Sequence, residues 1–256
     1  MNIVVPIKLV PDLTEELEIN DDGTDLERDF LSYRINEFCD HAIEEALQLK
    51  EAHGGTVTVL ALERDETDKA LYTALAKGAD RAIKITGVDE AAPTQAAAKV
   101  FCQALDGIDY DLVLTGVQAA DDRDGQLGAW MSSMLDIPHI SVVSSIEATS
   151  GGGSDKLLVR KEYAGGVMAS FEVSGKGVLG VQAARQMPRY APVSRVRQIM
   201  KEAELEEIEA DDVDVSTGTT VRRMFTPEKG EGAEMLDGSA EEIADRIVAI
   251  IKEKKG

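Results

Sequence analysis

The sequence predicts an α/β fold: a mostly parallel sheet with helices on both faces, an antiparallel strand extension, and a C-terminal arm with a terminal helix. Three observations predict it. Short apolar runs alternate with helix-period segments through the first half of the chain, which is typical of a parallel sheet. From about residue 137, strand-like segments follow one another without helices. From about residue 187, apolar residues are too sparse for a separate core.

The first half alternates strands with helices. Strands are predicted at 2–9, 56–62, 80–86 and 111–115. Helices are predicted at 37–52, 67–77 and 92–105, and a fourth helix follows the loop 116–125 and ends at Leu135. The first helix begins after Asn36, at the N-cap position, and ends at Gly54 and Gly55. One face of it is apolar: Ala42, Ile43, Ala46, Leu47 and Leu49. Gly78 closes the second helix.

The second half is predicted to be strands, then an arm. Strands are expected at 140–147, 157–163, 167–173 and 177–182, with hairpin turns at 150–154 and at Gly165–Gly166. An acidic linker is predicted at 202–214, and a helix at 239–254 places Ile243, Ile247, Ile250 and Ile251 on one stripe. We therefore expect one domain at 1–186 and an arm at 187–256.

The charge balance excludes one class of partner. The formal net charge is −21, from 48 acidic and 27 basic residues. Nucleic acid requires a surplus of Lys and Arg, so it is not expected as a ligand. Because the acidic residues are spread along the chain, adaptation to a salty cytoplasm is the favoured explanation of the net charge. An acidic surface that binds a basic partner stays open as the alternative.

Several site classes lack their motifs. Cys39 and Cys102 lie far apart and outside any CxxC pair, and the three histidines form no metal-binding spacing, so no metal site is expected. The chain has no GxGxxG after the first strand, no GxxxxGK[ST], and no catalytic constellation. No apolar run is long enough to span a bilayer and no signal peptide is recognisable, which predicts a cytoplasmic protein without membrane insertion.

The loop after the fourth strand is the best candidate for a ligand site. It reads GVQAADDRDGQLG at 116–128. Its glycines permit close backbone approach, and the next helix offers free N–H groups to a phosphate. Its aspartates could accept from ribose hydroxyls or cap the helix, while Arg123 holds phosphate. An ordinary acidic surface loop explains the same residues, and the residues alone leave both interpretations open.

Six segments in order resemble the beta subunits of electron transfer flavoproteins. VVPIKLVPD at 4–12 resembles the family's opening strand, NEFCDHAIEEALQLKE at 36–51 resembles NPFDEIAVEEALRLKE, and TALAKGADRAI at 73–83 resembles TALAMGADRAI. The loop at 116–128 resembles GKQAIDDDxNQTG, VRKEYAGG at 159–166 resembles VEREIDGG, and PRYAP at 188–192 resembles PRYATLP. Together these segments span about four-fifths of the chain.

The resemblance implies an electron carrier and not an enzyme. Such a subunit pairs with an alpha subunit that holds the redox FAD, and the arm packs on that partner. Electrons pass from flavin-dependent dehydrogenases, such as the acyl-CoA dehydrogenases of fatty acid oxidation, to a membrane quinone oxidoreductase or another acceptor. The fold is then Rossmann-like and binds an adenine nucleotide: AMP or, in electron-bifurcating members, a second FAD.

The resemblance also implies site residues by position. The nucleotide pocket comprises strand ends, the segment before the first helix and the loop: Pro6, Asn36, Phe38, Leu62, Gly116, Gln118, Asp121, Asp122, Arg123, Gly125, Gln126 and Leu127. The docking segment for dehydrogenases comprises Pro188, Arg189, Tyr190, Ala191, Pro192 and Val193, with Val193 at the apolar anchor. A proline-stiffened linker is the plainer interpretation of that segment.

The pocket departs from the family pattern in ways that leave the nucleotide open. Pro6 has no N–H to donate to an adenine ring. Gly125 and Leu127 replace the Asn and Thr of the AMP-binding pattern, as in bifurcating members, but Asp122 and Arg123 do not fit the bifurcating pattern DGDTAQVG. AMP or an AMP-like nucleotide is slightly favoured.

Two other functions are considered. A stand-alone adenine-nucleotide stress sensor has a Gly-Ser phosphate loop after its fourth strand and ends near residue 150, unlike this chain. A nucleotide-dependent enzyme of this architecture has an SGGxDS-like loop after its first strand. SGGGSD at 150–155 lies between predicted antiparallel strands instead, as a hairpin tip.

Overall fold

A computed structural model describes residues 1–29, 31–90, 92–148, 156–211, 213, 219–228, 230 and 232–255. In these ranges the strands are β1 (Asn2–Ile7), β2 (Leu9–Pro11), β3 (Tyr33–Ile35), β4 (Thr56–Leu62), β5 (Arg81–Thr86), β6 (Leu112–Gly116), β7 (His139–Ala148), β8 (Lys156–Tyr163), β9 (Val167–Ser174), β10 (Gly177–Val181) and β11 (Glu206–Glu209). The helices are α1 (Glu37–His53), α2 (Thr67–Lys77), α3 (Thr94–Leu105), α4 (Leu127–Leu135), α5 (Val193–Glu202) and α6 (Ala240–Lys255). The predicted α/β class is confirmed.

The described residues form a nine-stranded sheet in the order β11-β5-β4-β1-β6-β10-β7-β8-β9. Pairing is parallel from β11 through to β7, while β7–β8 and β8–β9 are antiparallel. The predicted hairpin turn at Gly165–Gly166 is confirmed, because Tyr163 pairs with Val167 across it and both glycines have positive φ. The second predicted turn, at 150–154, lies outside the described residues.

Strand side chains alternate between two cores. Ile3, Val5 and Ile7 face the apolar sides of α1 and α2, whereas Val4 faces α3 and α4. The apolar face predicted for α1 is buried in the first core. Each fully buried aliphatic side chain contributes about 1.5–3 kcal/mol relative to exposure, so burial on both faces fixes the register of the central strands.

Two strands differ from the sequence predictions. β10 was predicted within the antiparallel extension, but it returns to the middle of the sheet, parallel to β6 and β7. Residues 206–209 were predicted as part of an acidic linker, and that prediction is wrong for them because they pair with β5 as an edge strand. Two ion pairs hold this edge: Arg81 with Glu206 at 2.7 Å and Lys84 with Glu207 at 2.8 Å.

The predicted C-terminal helix is present as α6; Ile243 of its predicted apolar stripe is half-buried, and the other three residues of the stripe are exposed. Ile247, Val248, Ile250 and Ile251 remain open to solvent in this chain. Within the described ranges, no helix combines the length and apolar character needed to cross a membrane.

Candidate functional site

The strand order marks a switch point between β1 and β6. The chain leaves β1 toward β4 on one side and returns with β6 on the other, so the order reverses between these two neighbours. In open α/β sheets, ligands bind outside the carboxyl ends of the strands at such a switch point. Every predicted nucleotide-site residue lies at this edge of the sheet or beside it: in or just after β1, β4 and β6, or at the starts of α1 and α4.

The sheet opens at this edge. β1 pairs with β4 through to Ile7, but its pairing with β6 includes only Ile3–Leu112 and Val4–Val113. Pro6 lies two residues beyond the last of these pairs and has no N–H to continue a ladder. Since Gly116 stays paired with β10, the gap is confined to the β1 side of β6.

Asn36 fixes the loop that follows β6. Its side chain is 1% exposed, and its amide donates to the carbonyl oxygen of Gln118 at 2.8 Å. Its carbonyl oxygen accepts from the backbone N–H of Ala120 at 3.2 Å. Asn36 occupies the predicted N-cap position of α1 but makes no side-chain cap hydrogen bond. Its polar groups therefore position the loop rather than the helix end.

Lys8 connects the first strand to the same loop. Its Nζ lies 2.8 Å from Asp121 and 2.6 Å from Asp122. Lys8 was not among the residues predicted from the sequence, because a single lysine after an apolar strand is usually solvated. The signal that could have found it is a lone cation at the carboxyl end of a strand, opposite an aspartate-rich loop. Together, Lys8, Asp121 and Asp122 place one ammonium group and two carboxylates at the open edge of the sheet.

The rest of the loop is held by its own turns. Gln118 donates through its side-chain amide to the carbonyl oxygen of Arg123, which has a φ of 55°. Asp124 accepts from the backbone N–H of Gln126 at 3.2 Å, directly before α4. Gly125 has a φ of 64°, a conformation that a residue with a Cβ rarely adopts. These turns lead from the end of β6 into the first turn of α4.

Gly116 lets α1 approach the end of β6. A Cβ at this position would lie 2.9 Å from backbone atoms of Phe38 and Cys39. Phe38 is half-buried in the first turn of α1, and Leu62 is half-buried at the end of β4. The Cys39 thiol is fully buried, and burial raises its pKa. The first turn of α1 thus packs against the end of β6, beside the switch point.

Comparison with known proteins identifies the family. Residues 26–213 match the model of the electron transfer flavoprotein domain. The electron transfer flavoprotein subunit beta of Methylophilus methylotrophus is 34% identical, with 100% of both chains covered. The corresponding subunit of Bacillus subtilis is 31% identical over 98% of both chains, and the mitochondrial one of Oryza sativa subsp. indica is 29% identical over 96% of this chain and 97% of its own.

The chain belongs to the electron transfer flavoprotein beta-subunit family. The match starts before α1 and ends beyond β11, so it includes the loop at 116–128 and the segment at 188–193. Within the part of the chain that the structure describes, no group of three or more His, Cys, Asp and Glu side chains could hold a metal ion.

The predicted docking residues of the flavoprotein subunit divide into exposed and internal ones. Tyr190 is 79% exposed and Val193 is 58% exposed, as is expected of contact residues. Ala191 is buried, and the Arg189 guanidinium binds Glu44 and Glu51 of α1. Met187, which the sequence analysis did not select, is 82% exposed beside them. Pro188 and Pro192 restrict the backbone of this segment.

Two glutamates of α1 are buried under this segment with opposite effects on their pKa values. Burial raises the pKa of Glu44, but hydrogen bonds from Arg189 outweigh it, so the pKa lies below its ordinary value. At Glu45 burial prevails over hydrogen bonds from Arg185 and Ile146, and the pKa is raised. The sequence analysis missed both residues because a Glu-Glu pair on a helix resembles a solvated face.

Proposed function

We propose that this chain is the beta subunit of a heterodimeric electron transfer flavoprotein and has no reaction of its own. It would carry electrons from flavin-dependent dehydrogenases, such as acyl-CoA dehydrogenases, to a membrane quinone oxidoreductase or another acceptor. An alpha subunit would hold the redox FAD. Similarity over the full length of characterised beta subunits supports this role.

The observation that carries the proposal for a nucleotide is the switch point between β1 and β6, where the pairing of these two strands ends early. Its open sheet edge, its loop pinned by Asn36 and the start of α4 form a ligand site of the kind found at switch points. The first N–H groups of α4 and the helix dipole suit a phosphate. Lys8 supplies positive charge, and the carboxylate of Asp122 is suited to ribose hydroxyls.

AMP or an AMP-like nucleotide is the ligand we favour, with the adenylate part of a second FAD as the alternative. Pro6 has no N–H for an adenine ring, and Gly125 and Leu127 bring no polar side chain. Backbone N–H groups would therefore carry most of the contacts with the nucleotide. The two carboxylates bound to Lys8 must share it with the phosphate or release it when the nucleotide binds.

The arm provides the proposed partner surfaces. The exposed apolar stripe of α6 suits the alpha subunit, since a lone chain gains nothing by leaving four large aliphatic side chains in water. Residues 188–193 and the start of α5 suit a dehydrogenase. Here Tyr190 and Val193 are apolar contacts beside the exposed Arg195 and Arg197, which are basic groups in a strongly acidic chain.

Co-purification with the alpha subunit tests the function. FAD and AMP are counted per heterodimer, in parallel with the isolated chain. One FAD and one AMP per heterodimer, with a nearly colourless isolated chain, is the expected result. Two FAD per heterodimer would instead favour the bifurcating alternative, in which this chain binds a second FAD in place of AMP. A stable monomer that binds an adenine nucleotide and does not associate with the alpha subunit would instead support a stand-alone sensor.

A further inference from the structure

The segment between β10 and α5 is irregular, yet its backbone is closely bound. Ala184 donates its N–H to His41 Nδ1 at 3.2 Å, and Arg185 donates its N–H to Glu45 at 3.0 Å. Arg189 donates its N–H to Glu44 at 3.0 Å. All three acceptors are side chains on a single face of α1. One helix therefore supplies the hydrogen bonds that a sheet would give to a regular strand.

Arg189 is the most strongly held residue of this segment. Its Nε and one terminal nitrogen bind the two oxygens of Glu44 at 2.9 and 3.0 Å, and its other terminal nitrogen binds Glu51 at 2.6 Å. Glu44 is 3% exposed and also accepts from Gln48 at 3.1 Å. A two-pronged guanidinium–carboxylate pair fixes direction as well as distance.

Arg185 forms a second ion pair with α1, through a single guanidinium nitrogen. Its Nε binds Glu45 at 2.9 Å, and Glu45, 1% exposed, also accepts from the backbone N–H of Ile146 on β7. Placing two carboxylates in the protein interior has a desolvation cost, and apolar residues of similar size often give equal or greater stability. A plain linker to the arm does not need this arrangement.

Large apolar side chains that take part in neither ion pair project outward from this segment. Met187, Tyr190 and Val193 are the exposed large apolar residues between β10 and the first turn of α5, and they flank Arg189 on both sides. Binding improves when contact residues are held in their bound arrangement beforehand, because less conformational entropy is lost on association. Fixing Arg189 fixes the backbone from which these contacts project.

We infer that Glu44 and Arg189, supported by Glu45 and Arg185, are positioning residues that hold Met187, Tyr190 and Val193 ready for a dehydrogenase. The four residues do not themselves touch the partner's flavin or transfer electrons. This inference rests on the proposed docking function of residues 188–193. A purely structural role predicts a change in stability alone, whereas a positioning role predicts weaker docking in a folded protein.

The test uses the heterodimer with its alpha subunit and an acyl-CoA dehydrogenase that the wild type oxidises with saturation. The double variant Glu44→Met/Arg189→Met removes both charges together, so neither is left buried and unpaired. We expect KM for the dehydrogenase to rise about tenfold with kcat unchanged, since docking is altered and transfer within the docked complex is not. Amide hydrogen exchange at 185–190 should accelerate by about tenfold or more.

The matched control is Arg81→Met/Glu206→Met, which removes an ion pair at the far edge of the sheet. It should leave KM and exchange at 185–190 unchanged. The conservative variant Arg189→Lys keeps the charge but loses the two-pronged geometry, so a rise of about two- to threefold in KM is expected. If the double variant fails to assemble, Arg189→Lys decides the question by the same two measurements.

The outcomes separate this inference from the docking proposal. Faster exchange with a wild-type KM would show that the pairs are structural only and would overturn the inference. A KM that rises equally in the control would overturn it as well. Val193→Ala tests docking directly: a raised KM there, with none in Glu44→Met/Arg189→Met or Arg189→Lys, leaves the docking proposal standing and removes the positioning role. An unchanged KM in Val193→Ala would remove both.

Discussion

Asn36 Nδ2 donates a 2.8 Å hydrogen bond to the carbonyl oxygen of Gln118, across 82 residues of sequence. This contact joins the start of α1 to the loop after β6 at the open edge of the sheet. Asn36 is buried, while Gln118 is half-buried and Ala120 is exposed, so removing the Asn36 side chain removes two hydrogen bonds that hold the loop, one to the carbonyl oxygen of Gln118 and one from the N–H of Ala120.

Asn36→Ala should therefore lower the free energy of unfolding by about 1–3 kcal/mol, because it loses two hydrogen bonds that contribute about 0.5–1.5 kcal/mol each. Thermal unfolding of the heterodimer would measure it. Asn2→Ala is the control, because Asn2 also makes two side-chain hydrogen bonds, with Asp109 and Thr56, but at the surface. A loss of similar size in both variants would contradict the role of Asn36 in fixing the loop.

Gly116→Ala should destabilise the chain because its Cβ would meet the α1 backbone at 2.9 Å. Forcing a methyl group into a packed contact costs about 1–3 kcal/mol. Gly107→Ala is the control, since no heavy atom lies within 4 Å of its added Cβ. Chemical denaturation of both variants measures the difference. Equal midpoints for the two variants would show that α1 does not need this close approach.

The stabilisation by Glu44 should depend on pH. Its pKa lies below the ordinary value of 4.5 in the folded chain, so the unfolded chain takes up this proton first as the pH falls. Wild type should exceed Glu44→Gln by about 1.5–3 kcal/mol at pH 7, as expected for hydrogen bonds to a charged group. The difference is complete above the unfolded pKa and disappears as the pH falls through the folded pKa.

Unfolding of wild type and Glu44→Gln from pH 7 downward measures this difference. Glu172→Gln serves as the control, because Glu172 is exposed and its pair with Lys156 at 2.6 Å lies at the surface. Exposed pairs contribute about 0–1 kcal/mol, so this control should show little difference at any pH. A gap between wild type and Glu44→Gln that widens as the pH falls would contradict the direction of the pKa shift.

Asp122→Ala should lower the nucleotide content of the purified heterodimer while leaving the flavin spectrum intact. The variant removes a proposed ribose acceptor and one of the two carboxylates bound to Lys8. A lost hydrogen bond to a charged group weakens binding by about 1.5–3 kcal/mol, more than tenfold in affinity. Asp106→Ala, at the exposed end of α3, is the control. Wild-type AMP content in Asp122→Ala would place the nucleotide elsewhere.

The melting temperature should rise as KCl increases toward molar concentration, because salt screens repulsion within a chain of net charge −21. Repeating the titration at about pH 5, nearer the isoelectric point of about 4.5, should give a shallower rise since fewer charges repel. A flat or falling curve at neutral pH would favour a basic partner as the reason for the acidity.

Much of the fold could be predicted because its central elements carry strong local patterns. β4 and α2 have the predicted bounds, and α1 differs by one residue, since buried strands and helices with one apolar face are marked in their own sequence. β11 could not be predicted in this way. Its four residues include a single apolar one, Ile208, and pairing with β5 and the cations Arg81 and Lys84 makes them a strand.

The sequence by itself determined the α/β class, the family resemblance and the loop at 116–128, because glycines, apolar periods and ordered motifs are local properties. Only the tertiary structure placed β10 between β6 and β7, Lys8 against Asp122, and Arg189 on Glu44. Each of these joins residues far apart in sequence. The contribution of these contacts to stability depends on burial and on distances of a few ångströms. Both exist only once the sheet has assembled.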